Sequence, residues 1–473
     1  MVAMPVNNTS SSESAAPVAV PAANGEFGAY APSEHYTPPT DPRVLASLSR
    51  WQGLKFGVLL DWQACTQWGI DSWPLCPERW DWNKRIDRIH GKPEATEQDN
   101  IKYKASYEAL QRTFNPTRFD PEAWAELLQR SGVKYALIMA KHHDGFCLWD
   151  TAQTDFNIMQ TPYRRDIVGL LAEACHRRGL PLGLYYSVVD WHHPCYPNQN
   201  RSHELAGPEL GDTPDLEAYL AFLRKQVREL CTNYGDIHAW WWDMNVTERL
   251  DPSINAMIRS LQPKAMINGR GFDAGDFSTP ERELTDVDSM LAFKHPTEAC
   301  NSLGTQSWGY RRDEDYYVDR YLMQAIDNAL AKGGNYLLNI GPQADGLIPD
   351  AQVQIIERIG RWYNRIREAF DGAEPCSAMT ENRRVLLTRR GTDLYVHFAK
   401  PPESTAINLK PISVLPRRAT LLNTGIPVET DLTIFPMDCP DKPVPYLRLR
   451  NLPVNEVTNV MPVVKLEFDS LPA

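Results

Sequence analysis

What the chain lacks narrows its class before any motif is read. It has no CxxC pair, so neither a zinc ribbon nor a dithiol redox site is expected. Its nine cysteines, at 65, 76, 147, 175, 195, 231, 300, 376 and 439, are scattered, and the odd count leaves at least one thiol free. They read mostly as small core residues and do not fix a compartment. No run of 18 apolar residues occurs, so no membrane-spanning helix is expected. A basic stripe is also missing, in a chain of net charge −11, which argues against nucleic acid as a partner. The N-terminal stretch has no basic segment leading into an apolar core, so it does not read as a signal peptide. No internal repeat is visible beyond alternating strand and helix patterns.

What is present is enough for a large core. The chain has 473 residues, 42% of them hydrophobic, which suits one large domain and an accessory one. Residues 1–45 are rich in Pro, Ala, Ser and Asn and read as a disordered, low-complexity segment. From Leu54 the pattern changes. Lys55 to Leu60 is a strand candidate ending at Asp61-Trp62, and a Trp-rich stretch with some helix runs on to about Arg118. A regular grammar follows. Asp120 caps a helix with Pro121 at its first position, Gly132 ends it, and Tyr135 to Ala140 is an apolar strand running into Lys141-His142-His143-Asp144. Helix Asp166–Arg178 precedes strand Gly183–Ser187, and helix Asp215–Tyr234 precedes strand Ile237–Asp243. Pro252–Leu261 precedes Ala265–Asn268, Tyr316–Lys332 precedes Asn335–Ile340, and a last helix runs from about Asp350 to Phe370.

Apolar strands alternating with amphipathic helices imply parallel strands and right-handed crossovers. About eight such units predict a (β/α)8-like (TIM-type) barrel over residues 46–372. After Gly372 a hairpin pattern, Arg384–Thr388 and Leu394–Phe398, introduces proline-broken strands, which predict a C-terminal all-β sandwich over residues 373–473. Every barrel strand ends in polar or aromatic groups: Asp61, His142 and His143, Tyr185, Asp243, Asn268 with Arg270, and Asn339. One rim would collect them all, where barrel enzymes keep their chemistry.

Among these, Asp243 closes the aromatic run Trp240-Trp241-Trp242. A carboxylate beside indoles suits a sugar site, since flat rings stack on apolar sugar faces; a structural Asp capping the next turn is the other reading. His142 and His143 suit hydrogen bonding to a polyol, because neutral imidazole both donates and accepts. Without a third nearby ligand they make a weak metal site; satisfied core histidines are the alternative. Glycosidase chemistry needs a second carboxyl. Asp273, Asp276, Glu281, Glu283 and Glu298 are the candidates, and spacing does not choose among them.

Six stretches carry a resemblance: Met139-Ala-Lys-His-His-Asp-Gly-Phe146, Gly183-Leu-Tyr-Tyr-Ser187, Trp241-Trp-Asp-Met244, Gly275-Asp-Phe-Ser-Thr-Pro-Glu281, Ser307-Trp-Gly-Tyr310 and Leu337-Leu-Asn-Ile-Gly-Pro342. In this order they resemble glycoside hydrolase family 29, the α-L-fucosidases, over about residues 50 to 370. The resemblance implies a barrel followed by a β-sandwich and an exo-acting, retaining double displacement on terminal α-L-fucosyl residues of glycans or glycoconjugates. It implies Asp243 as nucleophile and Glu281 as acid/base, with His142, His143, Tyr185, Trp241 and Arg270 on the sugar. Asp61 and Trp62 stand where the first strand reaches the sugar. The resemblance also implies that Glu78 and Trp80 stand for a further Glu-Trp pair of the family. No cofactor and no metal are implied, and an oligomer is left open. A glycan-directed activity favours a secreted or periplasmic setting.

Two positions depart from the pattern. Family members usually carry a histidine followed by Trp-Gly after the first strand, and here the run is Asp61-Trp62-Gln63. Met244 follows the nucleophile position where many members have Gly. The first departure keeps open a related sugar, such as an α-galactoside, and a sugar-binding chain of weak activity.

Overall fold

A computed structural model describes residues 36, 38–70, 97–281, 292–434 and 444–471. Glu78, Trp80, Glu283, Cys76 and Cys439 lie outside the described residues, as does most of the segment 1–45. That segment needs one correction. A helix, α1 (Pro42–Leu54), begins inside it, with the Asp41 side chain capping the Arg43 amide and proline in the first turn. A high proline content reads as disorder, but proline at this position starts a helix.

The first layer is a parallel sheet of seven strands: β1 (Phe56–Leu60), β2 (Tyr135–Lys141), β3 (Leu182–Ser187), β4 (Ala239–Asp243), β5 (Met266–Ile267), β6 (Glu298–Ser302) and β7 (Asn335–Ile340). Their spatial order is β5-β4-β3-β2-β1-β7-β6. The outer helices after α1 are α2 (Glu97–Glu108), α3 (Pro121–Arg130), α4 (Ile167–Arg177), α5 (Leu216–Asn233), α6 (Pro252–Leu261), α7 (Asp319–Ala331) and α8 (Asp350–Ile366). Asp120, Asp166, Asp215 and Asp251 cap α3 to α6 through their side chains, as sequence grammar predicts.

The sheet closes on itself through an irregular eighth position. Asn268 bridges Phe277, Ser278 bridges Thr297 and Glu281 bridges Cys300, all in parallel sense. Residues 277–281 thus fill the seam between β5 and β6 with isolated bridges instead of a ladder.

Period-two alternation sorts the side chains. Leu59, Tyr135, Leu137, Met139, Tyr185, Ala239, Trp241, Met266, Phe277, Cys300 and Leu337 fill the barrel interior. Their strand neighbours pack outward under the helices in the main core. Beyond α8 the chain forms two antiparallel sheets. The larger has six strands: β8 (Glu374–Pro375), β9 (Val385–Arg390), β10 (Asp393–Phe398), β12 (Arg418–Leu421), β13 (Ile426–Pro427) and β16 (Val463–Glu467). The smaller has three: β11 (Ile407–Asn408), β14 (Glu429–Thr433) and β15 (Tyr446–Arg450). Both contribute to the main buried cluster. They dock on the barrel through Trp362, whose indole donates to Met461 O at 2.8 Å, and through the buried pair His397–Asp327, also 2.8 Å.

Candidate active site

Asp243 ends β4 in the same alternation as Ala239 and Trp241, so it points into the barrel mouth. Both its oxygens accept: Oδ2 from the Tyr185 hydroxyl at 2.5 Å and Oδ1 from Arg270 Nη1 at 2.9 Å. Burial, then the nearby Asp243 carboxylate, pushes the Tyr185 phenol far above its ordinary range, so it stays a donor. The same Nη1 of Arg270 also contacts Glu281 Oε1. Two hydrogen-bond lengths from one nitrogen leave the facing oxygens of Asp243 and Glu281 no more than about 6 Å apart. Their side chains remain 12% and 13% exposed, which gives both access to the cleft.

Arg270 is itself fixed. Its Nε donates to Thr279 Oγ1 and its Nη2 to Thr279 O, both at 2.6 Å. Its guanidinium lies 4.3 Å above the Trp241 ring. Thr279 belongs to the seam segment, so the guanidinium ties the end of β4 to the segment carrying Glu281.

The two histidines reach the mouth together because β2 is irregular. Its register against β3 shifts between Met139 and Lys141. Such an irregularity re-aims the following side chains. Lys141 turns outward to Asp190 Oδ2 at 2.7 Å and the Tyr219 hydroxyl at 3.2 Å. His142 lies parallel to Tyr185, with centroids 6.0 Å apart. His143 Nδ1 meets Ser187 Oγ at 2.6 Å, and that hydroxyl donates to Val189 O. The Ser187 proton being committed, Nδ1 is the donor and Nε2 carries the lone pair. Burial, then His142, holds His143 well below its ordinary pKa. The neutral ring aims its Nε2 acceptor toward Asp243 Oδ2, 3.9 Å away, where it can take a sugar hydroxyl.

Asp61 faces the mouth and is 1% exposed. It accepts from Gln63 Nε2 at 2.9 Å and from Asn339 Nδ2 at 3.3 Å. The Ser307–Tyr310 turn packs over it, and Asn339 Nδ2 also reaches Trp308 O at 3.0 Å. Gly341 permits this crossing: a Cβ there would lie 2.1 Å from Tyr310 N. Trp62 is a correction. It is turned away from the cleft, into a cage of Phe114, Phe119 and Trp124, with its indole on Gln343 O at 2.9 Å. The cause is alternation: Phe56, Val58, Leu60 and Trp62 all belong to the outer core. Trp241 is 2% exposed and lies beneath Arg270 as its platform.

The remaining described carboxyl candidates, Asp273, Asp276 and Glu298, have other partners. Asp273 accepts from Asn255 and the Gly275 amide, and Asp276 pairs with Arg259 and caps the Ile267 amide. Glu298 lies inside the barrel, 1% exposed, accepting from the Tyr135 hydroxyl and from Trp241 Nε1 at 3.0 Å. Burial raises its carboxyl from 4.5 to about 7. The folded state therefore favours the neutral form, and the stability this confers is complete below about pH 4 and lost as pH rises through about 7. The whole change amounts to ~3 kcal/mol. The urea midpoint of the unaltered chain, measured against Glu298→Gln, should fall over that range. A difference that does not vary with pH would refute the shift.

Groups not foreseen as site residues also meet here. Burial raises the Asp190 carboxyl, but the Lys141 ammonium more than offsets it and holds the group below its ordinary range. Asp190 also caps the amides of His192 and His193. Gly145, at φ +81°, leaves room for it, since a Cβ would come within 2.5 Å of Asp190 Oδ1. The run Asp190-Trp-His-His193 follows a strand, and that was its available signal. His203 stands edge-on to His143 at 5.7 Å, in a left-handed backbone conformation at φ 68°. No local sequence feature announces it. Among the described residues, no three His, Cys, Asp or Glu groups converge on a metal-sized site, and the seven described cysteines are free thiols.

A parallel barrel whose mouth gathers two carboxyls on one guanidinium, beside a pair of histidines, is the arrangement of a barrel glycoside hydrolase. The chain belongs to the α-L-fucosidase family, glycoside hydrolase family 29, whose family model matches residues 26–368. It is similar to the tissue α-L-fucosidase of Homo sapiens, 28% identical over 413 residues, covering 83% of this chain and 84% of that one. An α-L-fucosidase of Dictyostelium discoideum is 27% identical over 452 residues, covering 88% of this chain and 94% of the relative. Among solved structures, α-L-fucosidase isoenzyme 1 from Paenibacillus thiaminolyticus superposes with TM-score 0.75 at 28% identity, covering 90% of this chain and 100% of that one. A Thermotoga maritima α-fucosidase bound to a mechanism-based inhibitor gives TM-score 0.68 at 25% identity, covering 91% and 100%.

Proposed function

We propose that this α-L-fucosidase removes terminal α-L-fucosyl residues from glycans or glycoconjugates by double displacement, with Asp243 as nucleophile and Glu281 as acid/base. The observation that carries the reading is the Arg270 guanidinium shared by the two carboxyls. It sets them close enough for one to attack the anomeric carbon while the other protonates the leaving oxygen, the arrangement a retaining pair needs. Attack by Asp243 breaks the glycosidic bond. The bond electrons leave with the aglycone oxygen, which takes the Glu281 proton. Water, deprotonated by Glu281, then releases fucose and restores Asp243. Retention is tested by following the anomer first released from an aryl α-L-fucoside by NMR. α-L-Fucose supports the mechanism, and β-L-fucose overturns it.

Asp61 supports recognition of one ring face. An ionised carboxylate only accepts, whereas a histidine also donates, so the two would hold different hydroxyl patterns. Asp61→His should shift the fucoside-to-galactoside ratio of kcat/KM at least fivefold, about 1 kcal/mol of transition-state binding. Asp61→Asn should differ from it in direction or size. If both leave every substrate within about twofold, Asp61 takes no part in recognition.

A further inference from the structure

The geometry points to Glu298, a carboxyl buried in the barrel interior beneath the catalytic pair, as the positioning residue that fixes the Trp241 indole and through it the guanidinium shared by Asp243 and Glu281. The inference rests on the assignment of that pair.

Three contacts form a column. At its base Glu298 opens β6 and accepts from Tyr135 of β2 and from Trp241 Nε1 of β4. In the middle, the Trp241 ring carries two groups that hold Asp243. Tyr185 stacks on it at 5.4 Å and 22°, and its hydroxyl donates to Asp243. Arg270 lies over it at 4.3 Å and contacts both carboxyls. A tryptophan has a broad second torsion, and the stacked groups would follow it if it turned. The hydrogen bond to Glu298 selects one orientation. Glu298 also acts through the backbone, since its amide donates to Ser278 O in the seam. Cys300, two residues on, bridges Glu281. One side chain thus stands under the nucleophile's holders, and its strand braces the acid/base.

An apolar core residue would serve the barrel at least as well for stability, because a buried carboxyl costs solvation. The donors directed at Glu298 suggest that orientation is what the group provides.

Two substitutions separate orientation from packing. Glu298→Gln keeps an acceptor for the indole, and Glu298→Met keeps the length and removes the acceptor. On an aryl α-L-fucoside, Glu298→Gln should hold kcat within about threefold, while Glu298→Met should lower kcat at least about thirtyfold with KM changed less than about threefold. Trp241→Phe, which keeps a ring but has no N–H, should lower kcat comparably, and combining it with Glu298→Met should add little. Should Glu298→Met fail to fold, Glu298→Gln and Trp241→Phe still decide the matter. Wild-type kcat in Glu298→Met or in Trp241→Phe, or equal losses in the Gln and Met variants, would overturn the inference. An Asp243→Gly control separates the two claims. If it stays active, the catalytic pair falls and this inference with it. If it is inactive while Glu298→Met turns over normally, only the inference falls.

Discussion

Asp243→Gly should lower kcat on an aryl α-L-fucoside by at least about a thousandfold, roughly 4 kcal/mol of barrier. The loss follows from removing the attacking oxygen while Tyr185, Arg270 and the imidazoles stay in place. The glycine leaves an opening beneath the anomeric carbon, between the Tyr185 hydroxyl and Arg270 Nη1 that otherwise hold the carboxylate. Azide should enter there, restore part of the rate and yield β-L-fucosyl azide, because it attacks the face opposite the leaving group. A variant keeping more than about a tenth of the rate, a barrier change of only ~1.4 kcal/mol, removes Asp243 from the role.

Glu281→Ala should divide substrates by their leaving groups. A sugar alcohol cannot depart without a proton, so kcat/KM on a fucosylated oligosaccharide should fall at least about a thousandfold. An activated aryl fucoside needs little protonation. It should still form the fucosyl-enzyme quickly and then stall, giving a burst followed by slow turnover. Azide should relieve that second step and produce α-L-fucosyl azide, of opposite configuration to the Asp243→Gly product. Equal losses on both substrates, with no burst, would pass the acid/base role to another carboxyl.

Strand alternation made the main lines of the barrel and of the site legible. It places Tyr185, Trp241 and Asp243 inward, and the helix-capping aspartates mark where each unit begins. The same rule, carried from Leu60 at the end of β1 past Asp61, sends Trp62 outward; a tryptophan beside Asp61 invites a sugar-binding reading that the alternation does not allow. The pairing of His142 with His143 depends on a register shift in β2, and register is set by the neighbouring strand. Glu298 is among the carboxyl candidates in the sequence, but its strand is not legible there because Glu-Ala-Cys-Asn-Ser has no apolar pattern, although all five residues are buried in β6. Its polar groups are satisfied by partners far along the chain, Tyr135 and Trp241 among them. Lys141 is conspicuous in its motif, but its partner Asp190 lies 49 residues away, a contact that only the folded β2 and β3 create.

The two carboxyls are anchored in unequal ways. Asp243 terminates a strand paired on both sides, to β3 and to β5. Lengthening or shortening β4 would put the whole ladder out of step, so an evolving lineage has almost no freedom to relocate that group. Glu281 sits on the barrel's closing seam, attached by single bridges. A residue gained or lost there disturbs no continuous register, and the barrel survives. Descent with modification can therefore move a carboxyl along the seam while the Asp243 position stays where it is. Enzymes built on this plan should agree on one carboxyl across great divergence and differ in the address of the other.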